Sequence, residues 1–336
     1  LKSSKNFSIL RPFSHIYIEK DVLSHPITEL ILKKFPRSIL IEIETYKEIF
    51  SRSKQNYKLQ EMSRKLILAK KRGEFIYPGP PLCPNFGHHY FYYTTLILNC
   101  IFSCDYCFLK GMYSSAHIVV FVNIEDYFKE IDILLKKHPI YLSLSYNTDL
   151  MALEKIVPFF SMFMEYIDLK MDLIIEVRTK SAEYKILEKL KPKENVILSW
   201  TLLPKEIIKK FEPKTPNLEL RLHAIKKALE YGWKVRLNFD PLIFIENWKE
   251  IYLRFIGEIF KEIEPHKIYD ISIGVFRIPK DYFKRMKKIF TNEITLFPYE
   301  EDKKSLTYPY ELRKEMIDFF LQNISTNIPN EKIFII

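Results

Sequence analysis

Glycine is scarce in this chain. Seven occur in 336 residues, and none falls in a G-x-G-x-x-G or a Walker A loop. Without such a loop there is no dinucleotide fingerprint and no phosphate cradle, so nucleotide hydrolysis is not supported. Long apolar runs are missing too: none reaches the roughly eighteen residues that a membrane helix needs. The opening Leu1-Lys2-Ser3-Ser4-Lys5 has neither the apolar stretch nor the cleavage site of a secretion signal. A soluble, cytoplasmic protein with no membrane partner is expected. Cysteine is sparse, with four in all, which is too few for a disulfide scaffold at this length. Three of them crowd between Cys100 and Cys107, a spacing that suits metal ligation better than cross-linking and fits a reducing compartment.

What the chain does have is apolar and basic. Hydrophobic residues make up 47% and aromatic residues 15%, enough for a well-buried core and too much for disorder. The length suffices for one large α/β domain with appendages or for two small domains. A net charge of +10 favours anionic partners, either nucleic acid or an acidic electron-transfer protein. A lysine-rich solvated surface explains the same number.

Pro78-Gly-Pro-Pro81 breaks the chain and marks a boundary, since paired prolines admit neither helix nor central strand. Residues 1–80 read as an N-terminal α/β extension, 81–290 as the main domain and 291–336 as a C-terminal segment packing on it. A basic amphipathic run is expected from Tyr57 to Arg72. In the main domain, β-branched and aromatic runs recur at Phe91–Asn99, Ile140–Ser145, Leu173–Thr179, Val196–Leu203, Val235–Leu242 and Ile271–Phe276, with a further strand at Ile118–Val122. Helical periodicity fills the gaps, at Ile124–Lys137 behind an Asn123 cap and near 150–169, 217–231 and 247–263. Six β-then-α units imply parallel strands with right-handed crossovers, in an open sheet or a partial barrel whose chemistry sits at the strands' C-terminal ends.

The cysteine cluster Cys100-Ile-Phe-Ser-Cys104-Asp-Tyr-Cys107 follows the first of those strands. Three thiolates on an iron–sulfur cubane leave one iron open to chelate a small molecule. Structural zinc, with Cys83 as fourth ligand, is the competing reading, although its ligands usually come as paired knuckles. Buried inert cysteines are the third.

C-x3-C-x2-C with Tyr106 before the last cysteine resembles the signature of the radical S-adenosylmethionine superfamily. The resemblance implies a [4Fe–4S] cluster whose fourth iron is chelated by S-adenosyl-L-methionine. One electron then cleaves the sulfonium to give a 5′-deoxyadenosyl radical that abstracts a substrate hydrogen. It also implies a partial (β/α)6 barrel of the TIM type. Further segments are similar to the spore photoproduct lyase family: Asn99 to Gly111, Phe121 to Asp126, Glu176-Val-Arg-Thr-Lys180, Phe211-Glu-Pro-Lys-Thr215, Arg221-Leu222, Asp240-Pro241 and, upstream, Leu66 to Tyr77. The likeness spans roughly residues 30–320.

That family's reaction reverses a thymine dimer in DNA, so the resemblance implies a carbon–carbon lyase with a pyrimidine lesion as substrate. Cys100, Cys104 and Cys107 carry over as cluster ligands, and Tyr106 as an aromatic beside the cofactor on the hydrogen-return path. Lys180 matches the lysine that pairs with the cofactor's carboxylate, and Ser199 a polar cofactor contact. Asn147, Thr148 and Asp149 fit the family's run of polar residues after the second strand. Asp240 is a candidate for hydrogen-bonding cofactor or substrate, or else caps the next loop.

Three departures stand out. Tyr146 occupies the place of the family cysteine that returns the hydrogen atom, Phe108 replaces a family tyrosine, and Glu300–Tyr310 has no glycine where the family has a basic, glycine-containing hairpin. Tyr146 is read either as a phenolic hydrogen donor or as packing for adenine or substrate. Cys83, in Pro81-Leu-Cys-Pro84, reaches the site only if its loop turns inward. The basic clusters Arg64–Arg72 and Lys280–Lys288 suit phosphate contact or an ordinary wet helix face. His88 and His89 read as structural. A single-electron donor such as flavodoxin or ferredoxin is implied. The alternatives are the same radical chemistry on a small molecule or nucleoside, and a nucleic-acid-binding protein with a non-catalytic cluster.

Overall fold

The computed structural model describes residues 13–168 and 170–336. The expectation drawn from Leu1–Lys5 therefore falls outside the described residues. The strands, in chain order, begin with β1 (His15–Glu19), β2 (Ile39–Ile43), β3 (Leu66–Ala69), β4 (Ile76–Pro78) and β5 (Phe91–Thr94). Next come β6 (Ile97–Leu98), β7 (Ile118–Phe121), β8 (Ile140–Ser143), β9 (Leu173–Thr179) and β10 (Val196–Thr201). The last are β11 (Lys234–Leu242), β12 (Asp270–Val275), β13 (Arg277–Pro279), β14 (Glu300–Asp302), β15 (Ser305–Thr307) and β16 (Ile333–Ile335).

The larger sheet has the order β16-β12-β11-β10-β9-β8-β5-β4 and is parallel apart from its β4–β5 edge. Five of its six central strands, β8 to β12, are those read from the sequence. The sixth, β5, is only the first part of the expected Phe91–Asn99 strand, whose second part, β6, pairs with β7 in the other sheet. Helices directly follow β8 to β11 in the manner of a partial barrel. The strands are nearly all apolar because both faces are covered. The first sheet, β2-β1-β3-β7-β6, also takes in β6 and β7 from beyond the proline break, while β4, before the break, pairs with β5. One continuous apolar core joins both sheets. Among the described residues no helix is long and apolar enough to cross a membrane.

Several local expectations shift. The run Tyr57–Arg72 is a short helix, Tyr57–Met62, followed by strand β3, since Leu66-Ile-Leu-Ala pairs fully buried between β1 and β7. The helix expected near 150–169 is two, Leu150–Leu153 and Phe159–Tyr166, split ahead of Pro158. Asn123 stands at the start of the Ile124–Leu135 helix, but its amide side chain holds the backbone of Lys71 instead of capping. The stretch Glu300–Tyr310 does form a hairpin, β14–β15, and Lys303 takes the left-handed turn position at φ 51° that glycine usually fills.

At the N-terminal ends of the strands the barrel is plugged. The Arg236 guanidinium pairs with both oxygens of Asp270, donates to the Tyr141 hydroxyl at 2.6 Å and lies 3.3 Å from the Phe86 ring centroid. His88 stacks on Tyr141 at 4.5 Å, which bears out its structural reading. The open end of the barrel is closed on one side by the Lys280–Ile289 helix, packed on the short Leu109–Met112 helix. Gly111 makes that approach possible: a Cβ there would lie 2.0 Å from the Tyr282 carbonyl oxygen. Gly111→Ala is therefore expected to force the helices apart and cost about 1–3 kcal/mol by overpacking. Chemical denaturation checks this, and an unchanged midpoint would contradict it.

Candidate active site

A cavity of about 460 Å³ opens at the C-terminal ends of the barrel strands. Cys100, Cys104 and Cys107 line it, on a loop that begins at Asn99, where the backbone turns left-handed at φ 68°. The Asn99 side chain donates to the carbonyls of Ser115 and His117, both at 2.7 Å, which closes the base of the loop. Arg64 holds the loop's backbone, donating to the carbonyls of Cys100 at 2.9 Å and Ile101 at 2.6 Å. Asp105 N–H donates to the Phe211 carbonyl at 2.8 Å, and Lys110 pairs with the Asp105 carboxylate at 2.9 Å.

Among the described residues no three His, Cys, Asp or Glu side chains converge as ligands of a single metal ion. Three sulfurs that each bind a different corner of a cubane have no need to converge. Burial pushes all three thiols above their ordinary range, Cys100 up to about 12, with the Asp149 charge adding to it. Thiolates here therefore call for a cationic group to offset them.

Beside the cysteines is a set of buried polar atoms without protein partners: Ser145 Oγ, both amide atoms of Asn147 and Thr148 Oγ1. Buried polar groups are nearly always satisfied, so orphans grouped at a cavity fit a polar guest. Ser145, Thr148 and Asp149 line the cavity; Asn147 is buried next to its wall. Asp149 accepts from Ala152 N–H at 3.0 Å, the Thr179 hydroxyl at 2.8 Å and Lys180 N–H at 2.6 Å. It thereby caps the Leu150–Leu153 helix and locks the loop after β8 to the end of β9. Burial raises its carboxyl despite those donors.

Lys180 lines the cavity at the end of β9, with Nζ 4.0 Å from Glu212 Oε1 and 5.6 Å from the Tyr106 ring centroid. Burial works against its charge, but Cys104 and Glu212 outweigh it and raise its pKa. Tyr106 also lines the cavity, and its hydroxyl donates to Glu212. Glu212 in turn pairs with the fully buried Arg221 and accepts from the Thr215 hydroxyl at 3.1 Å. Sequence reasoning gave Glu212 no role, although the Phe211–Thr215 and Arg221 segments that build this cluster were the signal for it.

On the opposite wall Tyr146 lies 4.2 Å from Tyr93 and 5.5 Å from Phe108, ring centroid to centroid, and Tyr282 completes an aromatic face. Cys83 lines the cavity as well. Its loop is drawn inward by Arg277, which donates to the Leu82 carbonyl at 3.2 Å and to Asp240 at 2.7 Å. Burial pushes the Cys83 thiol up to about 11. Asp240 also meets Arg178 at 3.3 Å, so its carboxylate serves an arginine pair at the cavity wall instead of capping a loop. Neither Arg178 nor Arg277 was singled out from the sequence.

Ser199 is set apart from these groups. It is fully buried in the barrel interior, donates to Glu176 at 2.8 Å and accepts from the Asn238 amide at 2.5 Å, and it is absent from the cavity wall. Burial alone would raise the Glu176 carboxyl, but Arg178 and Arg236 outweigh it and hold it below the usual range. A depressed carboxyl contributes stability that is present above its unfolded pKa, near ~4.3, and is lost as pH falls through the lower folded value. Glu176→Gln should therefore cost about 2 kcal/mol at neutral pH, with the gap to wild type closing below roughly pH 4. Urea denaturation across that range checks it, and a gap that stayed constant with pH would contradict it.

A family profile described as Spore photoproduct lyase matches residues 89–312. The spore photoproduct lyase of Clostridium acetobutylicum is 19% identical over 248 residues, covering 70% of this chain and 73% of that protein. The one from Geobacillus sp. (strain Y412MC61) is 20% identical over 190 residues, covering 55% and 56%. A solved spore photoproduct lyase complexed with dinucleoside spore photoproduct superposes with a TM-score of 0.81 at 18% identity, over 97% of this chain and 99% of that one. A mutant of such a lyase with bound AdoMet and dinucleoside spore photoproduct gives 0.80 at 18% identity, over 96% and 98%. The fold is that of these structures, and with more than half of its length matched by the family profile, the chain belongs to the spore photoproduct lyase family.

Proposed function

We propose that this chain is a radical S-adenosylmethionine enzyme that repairs spore photoproduct in DNA, a carbon–carbon lyase. The observation that carries the reading is one cavity shared by Cys100, Cys104, Cys107, Lys180 and the orphaned polar atoms of Ser145 and Thr148. Relatives named for this activity, and solved relatives holding AdoMet and the dinucleoside lesion, support the substrate assignment.

Cys100, Cys104 and Cys107 would hold a [4Fe–4S] cluster with one iron left for S-adenosylmethionine. When bound, cluster and cofactor would supply one-electron reductive chemistry and, through it, abstraction of a hydrogen atom from the thymine dimer. Lys180 is the cation for the cofactor's carboxylate, while Asn147 and Thr148 offer unspent donors and acceptors. Asp149 keeps Lys180 in register through the Lys180 backbone N–H. The aromatic wall of Tyr93, Phe108 and Tyr282 excludes water, and the aryl C–H bonds of its rings are too strong for a carbon radical to break.

The hydrogens on that side weak enough to return to a carbon radical are the Cys83 thiol and the phenols of Tyr93, Tyr146 and Tyr282. Cys83 Sγ, the one cysteine outside the cluster triplet, and Tyr146 Oη, in the place of the family's donor cysteine, are the two assigned to that step. Donation leaves an unpaired electron on the donor, to be quenched by one electron and one proton before the next turnover. The outer face of the Lys280–Ile289 helix adds Lys284 and Arg285, both exposed, for phosphate contact beside the cavity that Tyr282 lines.

The test is anaerobic turnover of dinucleoside spore photoproduct in D2O with reconstituted protein, S-adenosylmethionine and dithionite. Conversion to the repaired dinucleotide carrying one deuterium is expected, with none from Cys104→Ala. No conversion by cluster-loaded protein, together with 5′-deoxyadenosine formation indifferent to the lesion, would sink the DNA-repair reading and favour another substrate. Cys83→Ser and Tyr146→Phe divide the hydrogen return: the variant lacking the direct donor should lose ten- to a thousandfold of product formation while still making 5′-deoxyadenosine, a range set by a lost transition-state contact of about 1.4–4 kcal/mol. Full product yield from both variants would remove both residues from that role.

A further inference from the structure

We propose that the outer face of the Tyr57–Met62 helix is the docking surface for an acidic one-electron carrier protein of the flavodoxin or ferredoxin kind. The inference rests on the reading above, that the cysteine loop holds a cluster which must receive single electrons.

The helix has two faces that differ sharply. Its inner face is built into the cysteine loop: Gln60 accepts from Ala116 N–H at 2.9 Å, and Glu61 accepts from the Ser103 hydroxyl. Tyr57 is buried on that face, with its ring edge-on to Phe290 at 5.8 Å between centroids. Arg64, just past the helix, holds the carbonyls of Cys100 and Ile101. The outer face carries Lys58, Leu59 and Met62, and the two apolar side chains are 63% and 75% exposed. Three and four residues apart, they form one patch. A helix about 10 Å across is all that separates that patch from the backbone holding the cysteines.

The rim of the patch is basic. Lys58 is exposed above the Phe290 ring, and Lys287 and Lys288 are exposed in the turn that precedes Phe290. Nearby acids are already faced by cations, Glu61 by Arg64, Asp105 by Lys110 and Glu293 by Lys210. A small apolar centre inside a cationic rim suits a transient partner of opposite charge, since complementary rims speed encounter and the limited area permits release. DNA would use the rim but would leave Leu59 and Met62 without an apolar counterpart.

The experiment uses the full-length reconstituted protein and a purified acidic flavodoxin. Lys58→Glu/Met62→Glu, with exposed Lys191→Glu at the far end of the barrel as control, is assayed for flavodoxin binding at low salt by calorimetry and for 5′-deoxyadenosine formation with either reductant. We expect about tenfold or greater loss of flavodoxin affinity in the double variant, a matching loss of flavodoxin-driven cleavage, unchanged dithionite-driven cleavage and no effect in the control. Equal flavodoxin affinity in variant and wild type overturns the proposal, as does loss of DNA affinity with flavodoxin binding intact. Absence of cleavage in every form, dithionite included, would count against the radical-enzyme reading, and the binding measurement would still decide the docking surface.

Discussion

A single buried carboxylate, that of Glu212, ties the site together. It has no exposed surface and draws four groups to itself: the Tyr106 hydroxyl, the Arg221 guanidinium, the Thr215 hydroxyl and, at 4.0 Å, the Lys180 ammonium. Burial would raise its carboxyl, but Arg221 and Lys180 outweigh that and keep it ionised below the usual range. An unpaired charge at this depth would cost several kcal/mol, so the cluster forms as a unit or not at all. Arg221 also donates to the carbonyls of Thr201 at 3.1 Å and Pro216 at 3.0 Å. Through these contacts the cysteine loop, the ends of β9 and β10 and the Leu218–Glu230 helix are held to one geometry.

The cavity that results is divided. One side is ionic and hydrogen-bonding, with Asp149, Lys180, Asp240 and two arginines; the other is aromatic, with Tyr93, Phe108, Tyr146 and Tyr282. A charged amino-acid cofactor and a flat pyrimidine lesion ask for those two environments. The glycine-free hairpin adjoins the same mouth, because β13, which contributes Arg277 and Pro279 to the cavity, pairs with β15. The chain thus keeps the hairpin as a structure while presenting Glu300, Glu301 and Asp302 along one of its strands.

The barrel was legible in the sequence because its strands are fully buried and rich in β-branched residues, a pattern that survives without tertiary information; Ile140–Ser143 and Val196–Thr201 are examples. The cysteine loop was legible through spacing alone. What could not be read were contacts between segments far apart in the chain. Arg277 draws the Cys83 loop inward across 195 positions, and Glu212 meets Tyr106 across 106. Ser199 shows the opposite failure: its place on a barrel strand was right, but its hydroxyl is spent on Glu176 deep in the interior. Leu66–Ala69 was drawn into a longer amphipathic run because a four-residue apolar stretch does not reveal its period.

The proposed chemistry requires that three thiolates leave one iron of a cluster open beside Lys180 and the unpartnered atoms of the 145–148 run. Electron paramagnetic resonance of the reconstituted, reduced protein, recorded before and after adding S-adenosylmethionine, tests it most directly. A reduced-cluster signal whose g-values change on addition of the cofactor is expected, as an open iron takes up new ligands. A cluster signal indifferent to saturating S-adenosylmethionine would mean a fully ligated iron centre and would rule out an open iron in this cavity.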